Sequence, residues 1–129
     1  ALCVYDPDSS KLQYSGGFSP LAFIRNGEIE LIKADPMPVG IGALAGRDFT
    51  KHEIEVGKGD VIYLYTDGYE DQFGGEKDKK FSRKRFRELL LSIHSLPMPD
   101  QKSVLETRLD EWMDGREQID DITVMGIRF

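Results

Sequence analysis

Two aspartate-containing segments adjoin apolar runs and could together bind a divalent cation. Asp67 follows the apolar run 61–65, and the neighbours Asp120 and Asp121 come shortly before the apolar run 124–127. Each run is typical of a buried strand, whose rigid end can hold an oxygen ligand in a fixed position. Clustered carboxylates repel each other unless a cation lies between them, and Mg²⁺ and Mn²⁺ prefer carboxylate and water oxygens. The pair therefore indicates metal-dependent hydrolysis of a phosphate ester, in which a metal-activated water attacks and no side chain is the nucleophile.

Each segment also has a simpler interpretation. An Asp-Gly pair such as 67–68 is a common hairpin turn signal after a strand. Two adjacent aspartates, as at 120–121, are frequent in loops and helix caps. The residues by themselves leave a metal site and two ordinary turns both open.

The composition bounds the class of protein. A length of 129 residues fits one domain or a large part of one, and the formal net charge of -6 argues against nucleic acid as a main partner. Cys3 is the lone cysteine, so the sequence predicts neither a disulfide framework nor a cysteine-rich metal site. With no apolar stretch of about twenty residues, we expect a cytoplasmic domain, although a longer parent protein could be tethered to a membrane.

Hydrophobic periodicity changes half-way along the chain. The first half alternates as strands do, whereas the second half has two apolar stripes at helical spacing before a final strand. Ser82 is the expected N-cap of the first helix, Pro97 its stop, and Gly115 the end of the second helix. The predicted strands are 2–5, 11–14, 21–24, 28–32, 49–56, 61–65 and 122–129, with a Pro- and Gly-rich loop over 35–47. Strands grouped before helices predict an α+β fold with antiparallel sheet.

The order of the motifs resembles a known family. Tyr-Thr-Asp-Gly-Tyr-Glu-Asp at 65–71 and Asp-Asp-Ile-Thr at 120–123 are similar to the SpoIIE-type branch of the metal-dependent type 2C serine/threonine protein phosphatases. Three further segments extend the resemblance over almost the whole chain. They are Gly-Gly-Phe-Ser-Pro within 12–21, Pro-Met-Pro-Val-Gly-Ile at 36–41 and the turn at 57–60.

The resemblance implies a fold, an activity and a set of site residues. The fold would be part of the family's α/β sandwich, and the activity would be removal of phosphate from phosphoserine or phosphothreonine on a protein. Two Mn²⁺ or Mg²⁺ ions would activate the attacking water. By position, Asp67 and Asp120 match metal-binding aspartates, Asp121 would lie behind them without contacting the metal, and Gly68 would allow close backbone approach.

Two departures from the family pattern lead to further expectations. Further metal-binding aspartates of the family belong to early strands, and the chain opens in what looks like the middle of a strand. We therefore expect residues 1–129 to be a single C-terminal fragment of a phosphatase domain that lacks the N-terminal strands. Such a fragment would hold at most half of a metal site and have negligible phosphatase activity alone. Phe18 stands where many relatives have histidine, which would alter substrate contacts.

The resemblance also implies partners. In relatives, such domains follow sensor or receiver modules and act on phosphorylated anti-anti-sigma-like proteins, so we expect a phosphorylated regulatory protein as substrate. One alternative is a non-catalytic module that binds a phosphoprotein, and another is a structural domain stabilised by Ca²⁺ or Mg²⁺. Exposed strand edges in a fragment also predict self-association.

Charged residues near the first helix have two interpretations. The run from Lys77 to Arg87 is basic in an acidic chain. It is more typical of a solvated helix face than of a docking surface for an acidic or phosphorylated partner. Glu70 and Asp71 are expected in a solvent-exposed first helical turn.

Overall fold

The computed structural model describes residues 1–40 and 46–129. The elements of the described residues, in chain order, are β1 (Leu2–Asp6), β2 (Lys11–Ser15), β3 (Leu21–Arg25), β4 (Glu28–Ile32), β5 (His52–Glu55), β6 (Val61–Tyr65), α1 (Gly68–Asp71), β7 (Phe73–Gly74), β8 (Lys79–Lys80), α2 (Arg83–Ile93), α3 (Met98–Met113) and β9 (Val124–Arg128).

The elements form three layers. A four-stranded sheet in the order β4-β3-β6-β9 lies in the middle, and a three-stranded sheet in the order β1-β2-β5 covers one of its faces. Helix α2 packs on the other face, together with part of α3. Every named strand pair is antiparallel. The predicted α+β class and α/β sandwich are confirmed.

Alternation along the central strands explains this layering. Ala22 and Ile24 of β3 belong to the core beneath the helices, whereas Leu21 and Phe23 belong to the core between the sheets. Strand β6 likewise contributes side chains to both cores, as successive side chains of a strand point to opposite faces. The continuous apolar run 61–65 is therefore buried on both sides, as a central strand requires.

The hairpin between β3 and β4 follows the turn signal in the sequence. Asn26 and Gly27 both have positive φ, at 52° and 76°. A type I′ turn requires this conformation at both central positions, and asparagine and glycine tolerate it best. The predicted two-residue hairpin turn is confirmed.

Several boundaries differ from the predictions. Strand β5 covers only His52–Glu55 of the predicted 49–56, and β9 begins two residues later than predicted. Pro97, expected as a stop for the first helix, is the N-cap of α3, where its fixed φ suits the start of a helix. The predicted loop 35–47 and the segment 36–41 fall partly on residues 41–45, which lie outside the described residues.

The short helix α1 and the β7–β8 hairpin follow β6 directly. They connect the end of β6 to α2.

Among the described residues, no helix is both long and apolar enough to cross a membrane.

Candidate metal centre

The antiparallel pairing of β6 and β9 brings the two aspartate segments to the same edge of the central sheet. Tyr65, the last residue of β6, pairs with Val124, the first residue of β9. Asp67 therefore leaves the sheet beside the segment that carries Asp120 and Asp121. The juxtaposition expected from the sequence follows from this register.

Thr66 extends the contact beyond the ends of the strands. Its backbone N–H donates to the carbonyl of Thr123 at 3.1 Å. Its hydroxyl donates to the carbonyl of Asp121 at 2.7 Å and accepts from the N–H of Thr123 at 2.9 Å. Three hydrogen bonds through one residue fix the segment after β6 against the segment before β9.

Gly68 allows the closest part of this approach. A Cβ atom built on Gly68 would lie 2.5 Å from the carbonyl oxygen of Asp121. That distance is well inside van der Waals contact, so a side chain at position 68 would force the two segments apart. Close packing accounts for glycine here, with no need for a hairpin turn at 67–68, because Gly68 begins α1.

The carboxylates at this edge face solvent. Asp67 occupies the N-cap position of α1, yet its side chain makes no capping hydrogen bond. Asp120 is also exposed, and its Oδ1 accepts from the N–H of Asp121 at 2.7 Å. Asp67 therefore keeps its oxygens accessible, and Asp120 has one that is not engaged in this local contact.

These residues fit part of a hard-cation site. Mg²⁺ and Mn²⁺ are typically bound by one or two carboxylates plus waters and phosphate oxygens, and Asp67 and Asp120 are donors of that kind. Asp67 lies two residues after β6, whereas Asp120 lies four residues before β9 in an irregular segment, not at the strand end that the sequence suggested. Within residues 1–40 and 46–129, no group of three or more His, Cys, Asp or Glu side chains is arranged to hold a metal ion. The donor set supplied by this edge is thus two aspartates.

A recess of about 470 Å³ opens beside Asp67. Its walls come from the segment after β2, the segment after β4, the end of β6 and one face of α2. The two loop segments are joined by hydrogen bonds, from the N–H of Phe18 to the carbonyl of Asp35 at 2.9 Å and from the N–H of Asp35 to the carbonyl of Gly16 at 2.8 Å. The Gly-rich motif found in the sequence therefore lies close to the candidate metal centre.

Glu70 is a buried carboxylate on this recess, which corrects the expectation of a solvent-exposed helical turn. Its relative exposure is 5%, and its Oε2 lies 3.4 Å from the Nε of Arg83. Burial raises the pKa of Glu70, while Arg83 and Arg87 oppose that shift. Arg83 begins α2, so the packing of α2 on α1 covers the carboxylate.

Three further residues line this recess: Lys33, which the sequence analysis did not single out, and Arg83 and Arg87, which it assigned to a solvated helix face in preference to a docking surface. Lys33, Arg83 and Arg87 line it together with Asp67. The spacing of Arg83 and Arg87 could have predicted a shared surface, because residues four apart lie on one face of a helix. Of the other basic residues of α2, Lys84 is solvated as predicted and forms an exposed pair with Glu88, whereas Arg85 lies over the Trp112 ring at 4.6 Å.

Comparison with known proteins identifies the family of this chain. The family model described as Stage II sporulation protein E (SpoIIE) matches residues 1–129. The chain belongs to the SpoIIE family. The resemblance to the SpoIIE-type branch of the type 2C phosphatases, noted from the motifs, is confirmed. No curated protein is similar enough to the chain to be counted as a match.

Solved structures with this fold include proteins described as PP2C or phosphatase domains. The SiaA-PP2C domain of Pseudomonas aeruginosa is 30% identical, with a TM-score of 0.84 over 94% of this chain and 47% of that chain. The phosphatase domain of SpoIIE from Bacillus subtilis, presoaked with Mn, is 17% identical, with a TM-score of 0.70 over 98% of this chain and 54% of that chain. The RsbU and RsbW domains of a Mycobacterium tuberculosis protein are 24% identical, with a TM-score of 0.71 over 98% of this chain and 34% of that chain. The chain thus spans about half the length of these solved relatives or less.

Proposed function

We propose that this chain is the C-terminal part of a metal-dependent protein serine/threonine phosphatase domain that hydrolyses phosphoserine or phosphothreonine on a regulatory protein. The observation that carries the proposal is the edge where β6 meets β9. Three hydrogen bonds through Thr66 hold Asp67 beside the segment of Asp120, and both carboxylates face solvent. Membership of the SpoIIE family supports the same activity.

In this proposal each residue at the edge has one role. Asp67 and Asp120 bind Mn²⁺ or Mg²⁺, with two ions expected in the complete domain. A bound divalent ion supplies Lewis acidity toward water and phosphate oxygens. Asp121 positions the centre through its backbone, whose carbonyl accepts from Thr66, and Gly68 lets the two segments approach. No side chain of this chain acts as the nucleophile.

The remaining metal ligands would come from the rest of the complete domain. The solved relatives are about twice as long as this chain or longer, and the edge described here offers two aspartates. We propose that residues 1–129 are a single C-terminal fragment with negligible activity alone. Its exposed edge strands would also favour self-association, because an unpaired strand edge can pair with a second copy.

The proposed partners are those that the resemblance to the family implies. The substrate would be a phosphorylated regulatory protein, such as an anti-anti-sigma-like protein, in the cytoplasm. An upstream sensor or receiver domain in the parent chain would control the activity. Among the solved structures, the PppA protein of Pseudomonas aeruginosa is described as a key regulatory component of a secretion system, which fits a role in signalling for domains of this kind.

The test is metal-dependent turnover by the complete protein. We expect hydrolysis of para-nitrophenyl phosphate that requires Mn²⁺ or Mg²⁺, with a loss of about a hundredfold or more in kcat for Asp67→Ala and for Asp120→Ala. Asp110→Ala on the exposed side of α3 is the matched control and should retain full activity. Unchanged turnover in both site variants would remove the metal assignment.

The same experiment separates the enzyme from the alternative function. A complete protein that binds a phosphopeptide but shows no metal-dependent turnover would be a phosphoprotein-binding module derived from the phosphatase fold.

A further inference from the structure

The recess beside Asp67 carries more positive than negative side chains. Its charged lining consists of three cations and two carboxylates, namely Lys33, Arg83, Arg87, Asp67 and Glu70. The whole chain has a formal net charge of -6, so this local excess runs against the overall balance. In the proposed function Asp67 is also neutralised by a metal ion, which makes the recess more positive still.

The contact with Glu70 engages only part of the Arg83 guanidinium. The guanidinium approaches the carboxylate at 3.4 Å through Nε, and 76% of the Arg83 side chain is exposed. A guanidinium has five N–H donors in a planar fork, so one contact of this kind leaves donors free for a second anion. Arg83 can therefore pair with Glu70 and still bind a group that enters the recess.

Arg87 provides an independent observation. Its Nε is buried, yet no acceptor among the described residues lies within hydrogen-bonding distance. Burying an N–H without an acceptor is unfavourable, and more so for a charged group. An unpaired buried donor of this kind calls for an explanation, and a ligand that supplies the acceptor is one.

Helix α2 presents both arginines to the same side. Arg83 and Arg87 are one helical turn apart, and both line the recess together with Lys33 from the segment after β4. Paired guanidinium groups match the oxygens of a phosphate or carboxylate, which they can contact with two parallel hydrogen bonds. The recess, at about 470 Å³, has the size of a small-ligand pocket and could admit a phosphorylated side chain.

We propose that Lys33, Arg83 and Arg87 form the substrate-recognition recess of this domain and bind an oxyanion of the phosphoprotein. The inference rests on the proposed function, because it assigns the substrate contacts of the same site. The oxyanion is either the phosphoryl group itself or the carboxylate of an acidic residue next to the phosphorylated one. Phe18, which is 64% exposed at the rim, contributes an apolar contact to the same substrate segment.

The test measures binding separately from turnover. Fluorescence polarisation would follow two labelled phosphoserine peptides, one with neutral and one with acidic neighbours, on the complete protein without added metal. We expect Arg87→Gln to weaken binding about tenfold, since a buried hydrogen bond to a charged group is lost. Lys33→Gln should weaken binding about threefold, because Lys33 is exposed and its pairing is screened.

Lys84→Gln is the matched control for charge. Lys84 lies on the same helix, is exposed and does not line the recess, so its variant should bind both peptides as the unmodified protein does. Weaker binding of both peptides by the recess variants identifies the phosphoryl group as the ligand. Weaker binding of the acidic peptide alone identifies the neighbouring carboxylate.

The proposal is overturned if Arg87→Gln and Lys33→Gln bind both peptides as tightly as Lys84→Gln. If Arg87→Gln fails to fold, shown by its urea unfolding curve, Lys33→Gln decides the result, because its exposed position does not support the core. Metal-dependent turnover that depends on Asp67, combined with unchanged peptide binding in the recess variants, would retain the phosphatase and remove the recess. If the recess variants bind the peptides more weakly but the complete protein shows no metal-dependent turnover, the recess is retained and the phosphatase activity is removed.

Discussion

The two ends of β6 carry aspartates in opposite circumstances. Asp60, just before the strand, is 5% exposed and accepts hydrogen bonds from the Arg25 guanidinium, at 2.5 Å, and from the N–H of Gly57, at 2.7 Å. Asp67, two residues after the strand, is exposed and makes no capping hydrogen bond with its side chain. One carboxylate is satisfied within the fold, and the other is available to a ligand.

This difference shows how one strand can serve both stability and chemistry. The hydrogen bonds from Arg25 lower the pKa of Asp60 despite its burial, so that carboxylate is held in its charged form. At the other end, Thr66 and Gly68 fix the backbone around Asp67 without using its side chain. Rigidity at that end comes from the Thr66 hydroxyl and from main-chain contacts, which leaves the Asp67 carboxylate free.

The largest effect on folding should come from Gly68→Ala, which would break the main-chain contact at the Asp67 end. The new Cβ would meet the carbonyl of Asp121 at 2.5 Å, so the segments must separate. We expect a loss of about 2–3 kcal/mol in the free energy of unfolding, at the upper end of the cost of overpacking. Urea unfolding measures it. A loss no larger than that of Gly27→Ala, where a positive φ alone opposes the side chain, would show that the approach of the two segments is loose.

A smaller change in the free energy of unfolding should distinguish Asp60 from Asp67. We expect Asp60→Asn to lower the free energy of unfolding by about 1–2 kcal/mol, because hydrogen bonds to a charged group are lost while Arg25 stays partly solvated. Asp67→Asn should change it by less than about 0.5 kcal/mol, as for other exposed substitutions. Equal losses in the two variants, measured by urea unfolding, would contradict the comparison.

The smallest effect should be a dependence of stability on pH at the Asp60 end. Because the pKa of Asp60 is lowered in the folded state, its contribution is complete above the ordinary carboxyl pKa of about 4. The contribution is lost as the pH falls from there through the lowered pKa. The urea midpoint of the unmodified protein should therefore fall more steeply below about pH 4 than that of Asp60→Asn. Parallel curves for the two proteins would show that Asp60 contributes nothing through its charge.

Much of the sheet and of the candidate metal centre could be predicted from the sequence. The apolar run at 61–65 is continuous because β6 lies inside the four-stranded sheet, whereas β9 is an edge strand whose Met125 and Ile127 are exposed. The pairing of the two strands brings Asp67 beside the segment before β9. These features depend on local patterns that a sequence displays directly. The hairpin at Asn26 and Gly27 was predictable for the same reason.

The remaining features depend on contacts between distant residues. Glu70 has the sequence context of an exposed helical turn, yet it is buried in the fold, with Arg83 of α2 3.4 Å from its carboxylate. The β7–β8 hairpin is held in part by Trp112, whose indole N–H donates to the carbonyl of Gln72 at a separation of 40 residues. No local pattern reports a partner that far along the chain, so the recess could not be predicted from the sequence, whereas the position of Asp67 beside the segment before β9 could.

The contact through Thr66 has a consequence for the order of events during synthesis. Thr66 and Asp121, which its hydroxyl contacts, are separated by 55 residues of chain. Contacts at such separation form late, because the entropy cost of closing the intervening loop must be met before they contribute. On the ribosome, β6 and Asp67 emerge before β9, so the edge between β6 and β9 stays unformed while α2 and α3 are being made. The contact between Thr66 and Asp121 should thus be among the last in these residues to form.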